Sequence, residues 1–499
     1  MYHFDHWLDR RPKTYRLQKT ELPEQINLFD EAENTADPEL TEPELEEITY
    51  KRRKRAGKRE DDLCELPVEV VEHTLPAEER ICPACGEPLH VMGHECRREL
   101  KVVPAQVVVV EHKREVYSCR NCEKNEDSVP VIKAPLPEPV IKGSLASPSE
   151  VAHIMTQKYL MYAPLYRQEQ AWKQQGVFLS RQTMANWIIR CSQDWLEPIY
   201  ERLKLGLAGR EVLHADESVL QVLKEPSRKA QAKSFMWLYR TCSDTDKPIV
   251  LYDYQETRHH KHPEAFLQGF KGYLHTDGFQ GYHLLPQDII VVGCWSHVRR
   301  KFDEALKTVA QERRPGSHAQ KGQDFCNRLF DLERKFVNLK PKERFERRLK
   351  ESKSVAEDFF TWCRSLWRGG VLPKSTLGAA LKYACDQQQW LMNVYLDGRL
   401  EISNNRAERS IKPFVMGRKN WLFCNTPNGA RASSVVYSLI ETAKENGLKP
   451  FEYLKFLLED LPNTTTGQLD DLLPWGKSLP ECCRMPLKKE DEYDRQERD

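Results

Sequence analysis

The stretch EVLHADESVL, residues 211–220, decides the fold because it reads as an apolar strand with acidic residues at its centre. Apolar residues in such a short run are typical of a strand. Burying the carboxylate of Asp216 there is costly unless an opposite charge compensates it. A metal ion supplies that charge, so the stretch predicts a metal-binding acid at Asp216.

Outward from this strand, the chain alternates between further strands and short helices. Apolar runs predict a second strand at 234–240, a third at 248–254, a fourth at 272–278 and a fifth at 288–293, with a short helix at 262–269. Another helix is expected between the last two strands. This is the order of elements in a ribonuclease H-like fold.

A second acid, Asp277, ends the fourth predicted strand and is followed by a glycine. The first and fourth strands of this fold are neighbours, so Asp216 and Asp277 are expected to share one ion. Asp253 and Asp288 compete for the assignment. Both lie at strand margins near turns, and they rank lower for that reason.

A third acid is expected from a later helix, and the best candidate lies in EISNNRAERSIKP, residues 401–413. Ser403 or Asn404 can cap this helix, which places Glu408 about one turn inside it. Bases surround Glu408, and GRKNW follows at 417–421. An acid among bases beside a tryptophan suits a site that holds Mg²⁺ or Mn²⁺ together with a DNA backbone.

Two closely spaced cysteine pairs read CPAC at 82–85 and CRNC at 119–122. Two residues between cysteines place both sulfurs on one side of a tight turn, and two such turns supply the four thiolates of a tetrahedral zinc site. The alternative is a set of reduced, unliganded cysteines in a small core. The predicted ligands of the structural Zn²⁺ are Cys82, Cys85, Cys119 and Cys122.

Residues 162–189 have the pattern of a helix-turn-helix. Gly176 can end the first helix, and Ser180 can cap the second. The start of the second helix would face outward, where a recognition helix contacts base edges and phosphates. A helix pair with a glycine turn also occurs in plain bundles, so DNA reading and simple packing both stay open. The outward residues expected to contact DNA are Arg181, Gln182 and Asn186.

Basic residues also lie near the candidate acids. One group follows the fifth strand and another follows Glu408, and both are expected to contact DNA. Ordinary solvated bases on packed helices are the alternative for the first group. The two groups consist of His297, Arg299 and Arg300, and of Arg409, Lys412, Arg418 and Lys419. His214 and His275 precede two of the acids by two residues and share a strand face with them. Groups that support the acids are one interpretation, and packed histidines are the preferred one.

Composition indicates several domains in a protein without export or membrane signals. The chain has 499 residues, with 76 basic and 75 acidic side chains, and this balance does not itself indicate a nucleic-acid partner. No segment is apolar for long enough to span a bilayer, and no secretory pattern is evident, so cytoplasmic residence is expected. The 15 cysteines then favour metal binding over disulfides.

The domain boundaries follow changes in composition. From Glu21 to Tyr50 there is no Lys or Arg, and a basic block follows at once, which is typical of a solvated tail. The predicted domains are a tail at 1–62, a zinc-binding domain at 63–134, a helix-turn-helix-like region at 135–208, a catalytic core at 209–302 plus 396–430, a helical insertion at 303–395, and a C-terminal helix and tail at 431–499. The expected class is therefore multidomain α/β.

From about Cys82 to Trp475, the chain resembles the insertion-sequence sixty-six family of DDE transposases. The matching stretches are HADE at 214–217, TDGFQGY at 276–282, GCWSHVRRKF at 293–302, NNRAER at 404–409, GRKNWLF at 417–423, YSLIETAK at 437–444 and LPW at 473–475. The resemblance places the family's acid triad on Asp216, Asp277 and Glu408, and its zinc knuckle on the four cysteines. Family members usually begin with a coiled coil, but no sustained heptad pattern before Cys82 predicts one here.

The resemblance implies two-metal cleavage of DNA at transposon ends, followed by strand transfer into target DNA. It also implies double-stranded DNA, other copies of the chain and companion proteins of the same element as partners. A ribonuclease H-like nuclease or resolvase would cut without joining. A non-catalytic, zinc-dependent DNA-binding protein would do neither.

Overall fold

A computed structural model describes residues 107–118, 131–243, 245–464 and 466–486. They all belong to one of the two units into which the chain divides, Ala105–Asp499. Among these residues, no helix is both long enough and apolar enough to cross a membrane.

The segment expected to bind zinc is described only in part. Strands β1 (Val116–Ser118) and β2 (Val131–Lys133) pair antiparallel, with Tyr117 opposite Ile132. The expected tail at 1–62 and all four predicted zinc ligands lie outside the described residues.

In the described part of the chain, four helices precede the central sheet. They are α1 (Pro148–Tyr159), α2 (Leu165–Gln174), α3 (Arg181–Cys191) and α4 (Glu197–Ala208), and a π-helical turn at Ser192–Leu196 joins the last two. Between α2 and α3, Gly176 takes a φ of +80° that favours glycine. The Ser180 hydroxyl then caps α3 by accepting the Thr183 N–H at 3.1 Å. The expected turn and cap are both present.

The centre of the described chain is a five-stranded mixed sheet. Its strands are β3 (Val212–Gln221), β4 (Lys233–Thr241), β5 (Val250–Gln255), β6 (Gly272–His275) and β7 (Ile289–Val292), and helix α5 (Lys261–Phe266) lies between β5 and β6 in the chain. The order across the sheet is β5-β4-β3-β6-β7. The first three strands pair antiparallel, and β6 pairs parallel with both β3 and β7.

Two features around β6 differ from the sequence prediction. The fourth strand stops at His275, because after Thr276 the chain turns and the Asp277 carboxylate accepts the Phe279 N–H at 2.8 Å. Between β6 and β7, the expected helix is a short 3₁₀ turn at Gln280–Leu284.

A group of helices follows β7 and has a core of its own. They are α6 (Trp295–Lys307), α7 (His318–Phe336), α8 (Pro341–Arg347), α9 (Lys353–Arg368) and α10 (Thr376–Met392). Trp295 and Phe302 of α6 pack against Phe359 of α9, with ring centroids 5.5 and 5.8 Å apart. Each fully buried aromatic ring stabilises the fold by about 1.5–3 kcal/mol.

Two further helices return to the sheet, α11 (Asn405–Trp421) and α12 (Pro427–Glu445), and α13 (Pro450–Asp460) packs against α1 and α12. Helix α12 is fixed to the edge strand β5 by hydroxyl groups. Ser438 Oγ accepts the Tyr252 N–H at 2.8 Å, and Thr442 Oγ1 accepts the Val250 N–H at 3.0 Å. These bonds satisfy backbone groups that an edge strand would otherwise leave unpaired.

The pairing of β3 with β6 depends on Gly272, and we expect Gly272→Ala to destabilise the protein strongly. Its φ is +148°, and an added Cβ would overlap the backbone carbonyl of Glu211. Strain and overlap together should lower the free energy of unfolding by at least about 3 kcal/mol.

Urea unfolding of Gly143→Ala provides the matched control. Gly143 also has a positive φ, of +72°, but nothing lies within 4 Å of its added Cβ. Gly143→Ala should therefore lower the free energy of unfolding only by the cost of holding alanine at a positive φ, about 1–2 kcal/mol. If the free energy of unfolding fell equally in Gly272→Ala and Gly143→Ala, the close approach of β6 to Glu211 would be contradicted.

Candidate active site

Asp216 lies in the middle of β3, where it is half-buried. Its Oδ1 accepts the Glu217 N–H at 2.8 Å. Burial raises the pKa of Asp216 well above its ordinary value, and the negative charges of Glu217, Asp277 and Glu408 add to the rise. A carboxylate raised in this way gains from a nearby cation.

Asp277 reaches Asp216 through the parallel pairing of β3 with β6. His214 of β3 is opposite His275 of β6. Asp216 lies two residues after His214, and Asp277 lies two residues after His275. The guanidinium of Arg258 lies 3.8 Å from Asp277 Oδ2. Asp277, which follows the end of β6, therefore lies beside the middle of β3, where Asp216 stands.

Glu408 enters the site from the first turn of α11. Its carboxylate oxygens lie 3.7 Å from His297 Nδ1 and 3.5 Å from Arg300 Nη2. Both residues belong to α6, the helix that follows the fifth strand. This helix was expected to contact DNA.

Asn404 is the N-cap residue of α11, but neither its side chain nor that of Ser403, the two expected caps, caps the helix. The fully buried amide instead joins α11 to the sheet. Its Nδ2 donates to the Ala215 carbonyl at 2.8 Å, and its Oδ1 lies 3.0 Å from His214 Nδ1. Asn404 thus ties the helix of Glu408 to the residue beside Asp216.

Glu217 is a buried acid whose role the sequence reasoning missed. Only 2% of its side chain is exposed, and its oxygens accept from Tyr282 Oη at 2.6 Å and Arg258 Nε at 2.7 Å. Burial raises its pKa, while Arg258 and Tyr282 oppose the rise. Both Glu217 and Tyr282 belong to the motifs quoted above, but nothing in the spacing of Arg258 indicated it.

The prediction of packed histidines is confirmed. His214 and His275 are fully buried, and their rings stack with centroids 4.4 Å apart. Burial lowers the pKa of His214 to about 3, so its ring is neutral. The Glu401 N–H donates to His275 Nε2 at 3.2 Å, which holds the segment before α11 against the sheet.

The residues expected to contact DNA fall into different surroundings. Arg181, Gln182 and Asn186 are exposed on α3, and Arg409, Lys412 and Lys419 are exposed on α11. Arg299 is directed away from the acids, because its Nε donates to Asn327 Oδ1 at 2.8 Å. Arg418 is half-buried and donates to the Val219 carbonyl, so it joins α11 to β3.

The comparisons with known proteins cover most of the chain. Residues 143–432 match the family described as transposase IS66 family, residues 438–475 match the IS66 C-terminal element, and residues 79–123 match the zinc-finger binding domain of transposase IS66. The last range contains all four predicted zinc ligands.

Two relatives come from Sinorhizobium fredii. The protein y4jD is 30% identical over 418 residues, which are 81% of this chain and 79% of that protein. The protein y4qI is 29% identical over 486 residues, covering 93% of this chain and 86% of that protein. Both are described as uncharacterized.

Proposed function

Because the chain belongs to the IS66 family of transposases, we propose that it cuts DNA at the ends of a transposable element and joins them to target DNA. Asp216, Asp277 and Glu408 would hold two Mg²⁺ or Mn²⁺ ions. When bound, these ions activate a water, and later the 3′-hydroxyl of the cut end, and stabilise the leaving oxygen.

The observation that carries this proposal is the convergence of three carboxylates from separate elements. Burial, followed by the charges of neighbouring acids that include Asp277 and Glu408, raises the pKa of Asp216. Hard oxygen donors that repel one another fit a divalent cation, since the cation removes the repulsion. The neighbouring Glu217 is not available, because Tyr282 and Arg258 engage both of its oxygens.

The sheet supports a ribonuclease H-like core for this chemistry. Of the five strands of the sheet, the three antiparallel ones come first in the chain, and two parallel strands then extend the sheet beside β3. This arrangement brings the middle of β3 and the end of β6 together. Helices α7 to α10 then correspond to the helical insertion predicted at 303–395, which separates Glu408 from the sheet acids in sequence.

Binding of double-stranded DNA follows from the same proposal. Arg300 and His297 lie beside Glu408, where they would meet the phosphate being cut. The exposed bases of α11 and the exposed start of α3 would extend this contact along the duplex. The zinc-finger domain, other copies of the chain and companion proteins would assemble the two ends.

A joining assay tests the proposal and separates it from its alternatives. We expect purified protein, labelled end DNA, a target plasmid and Mg²⁺ to give joined products, and Asp277→Asn to give none. The reason is that asparagine removes one anionic metal ligand without changing the shape of the side chain. Cutting without joining would favour a nuclease or resolvase. Binding without cutting in Mg²⁺ or Mn²⁺ would favour a non-catalytic DNA-binding protein.

A further inference from the structure

Three different metal-binding side chains meet beside the candidate acids. Cys294 immediately precedes α6, His297 lies in the first turn of α6, and Glu408 lies in the first turn of α11. Their ligand atoms all lie within 4.8 Å of one another. Throughout the described part of the chain, no other three His, Cys, Asp or Glu side chains meet this spacing.

Two of the three ligand atoms lack hydrogen bonds, whereas Cys294 Sγ accepts the Asn404 N–H at 3.1 Å. His297 Nδ1 and Glu408 Oε1 are both shielded from solvent and have no hydrogen-bond partner among the described residues. They stand 3.7 Å apart, too far for a hydrogen bond. Leaving two buried polar atoms unsatisfied is costly, and a cation between them would satisfy both.

The chemistry of the donors selects the ion. A thiolate and an imidazole bind Zn²⁺ well, whereas Mg²⁺ prefers oxygen ligands alone. Three protein ligands leave the fourth tetrahedral position to water. Arg300, 3.5 Å from Glu408 Oε2, is 37% exposed and so has solvent into which it can withdraw when a cation binds.

We propose that Cys294, His297 and Glu408 form a Zn²⁺ site separate from the zinc-finger domain, and that Zn²⁺ bound there holds Glu408 away from Asp216 and Asp277. Zinc would then inhibit Mg²⁺-dependent cleavage. The inhibition rests on the proposed function, but the binding of zinc does not. Glu408 is the residue shared by the two sites, which makes their occupation competitive.

The binding test counts metal in the full-length chain after equilibrium dialysis against Zn²⁺. We expect wild type to hold one zinc more than Cys294→Ser. The control is Cys326→Ser, because Cys326 is equally buried in α7 but belongs to no group of metal-binding side chains among the described residues. Cys326→Ser should hold as much zinc as wild type.

Titration with Co²⁺ gives an independent signal. The absorption of the cobalt–thiolate bond should be weaker in Cys294→Ser than in Cys326→Ser. If Cys294→Ser does not fold, as judged by circular dichroism, His297→Gln takes its place. Equal zinc counts in wild type and in a folded variant of either ligand would overturn the site.

The cleavage test measures each protein against its own activity without zinc. Half-inhibition of Cys294→Ser should need at least about tenfold more Zn²⁺ than that of wild type, since loss of a ligand weakens zinc binding. If wild type and Cys294→Ser were equally sensitive to Zn²⁺, zinc at this site would not compete with Mg²⁺-dependent cleavage, and that part of the proposal would be overturned. If wild type never cleaves DNA, the proposed function fails, and zinc counting still decides the site.

Discussion

Replacing Asp216 with asparagine is expected to abolish DNA cleavage while leaving the metal-free fold at least as stable as wild type. Asparagine keeps the shape of the side chain but removes the charge that a metal needs. Loss of several kcal/mol of transition-state stabilisation corresponds to a fall in the cleavage rate of at least about 1000-fold. Gel assays of labelled ends measure this directly.

The expected gain in stability follows from the electrostatics of the site. Burial and the charges of Glu217, Asp277 and Glu408 all disfavour the ionised form of Asp216. Asparagine removes this repulsion, so the melting temperature without metal should be equal to or higher than that of wild type. Adding Mg²⁺ should raise the melting temperature of wild type and change that of the variant much less.

The same electrostatics predict how the stability of the metal-free protein changes with pH. The pKa of Asp216 is higher in the folded protein than in the unfolded chain, so the folded protein binds the proton more tightly. The metal-free wild type should therefore lose stability as the pH rises from the ordinary range of an aspartate through the raised pKa. Asp216→Asn should lose less over the same range.

Asp288→Asn is the matched control for both measurements. Asp288 precedes β7, is 60% exposed and pairs with Lys271 at 2.9 Å, so its charge costs the fold little. Cleavage and stability should both stay near wild type. If Asp288→Asn lost cleavage as completely as Asp216→Asn, the choice of acids would be wrong.

Local pattern predicted the strands of the sheet because each strand is a short apolar run with turn residues on either side. The first strand, expected from EVLHADESVL, is Val212–Gln221 in the structure. The fourth strand was predicted too long, because the Asp277 carboxylate accepts a backbone N–H and begins a turn. The hydrophobic pattern does not predict where a side chain will compete for backbone hydrogen bonds.

The contacts that hold the site together could not be predicted, because they join residues far apart in the chain. Arg258 binds an acid 41 residues away, and Asn404 contacts His214 across 190 residues. The periodicity of apolar residues indicates which face of a helix or strand is buried, but it does not indicate which residues pack against that face. The meeting of Cys294 with Glu408 is equally long-range, although Cys294 lies in a quoted motif.

Asn404→Ala is expected to lower both the stability of the protein and its cleavage rate. The change leaves the Ala215 carbonyl and His214 Nδ1 without their partner in a fully buried place. Each lost partner costs about 1–3 kcal/mol, so the free energy of unfolding should fall by roughly 2–6 kcal/mol. Thermal and urea unfolding would detect a change of this size.

The loss of cleavage should exceed what instability explains, because Asn404 sets the position of Glu408 relative to Asp216. A displacement of about 1 Å in a reacting group can cost about 100-fold in rate. This fall should persist at a temperature where circular dichroism shows the variant fully folded. Ser403→Ala is the control, since the Ser403 side chain makes no hydrogen bond within the described chain. A folded Asn404→Ala that cuts DNA as fast as Ser403→Ala would show that α11 keeps Glu408 in place without the asparagine.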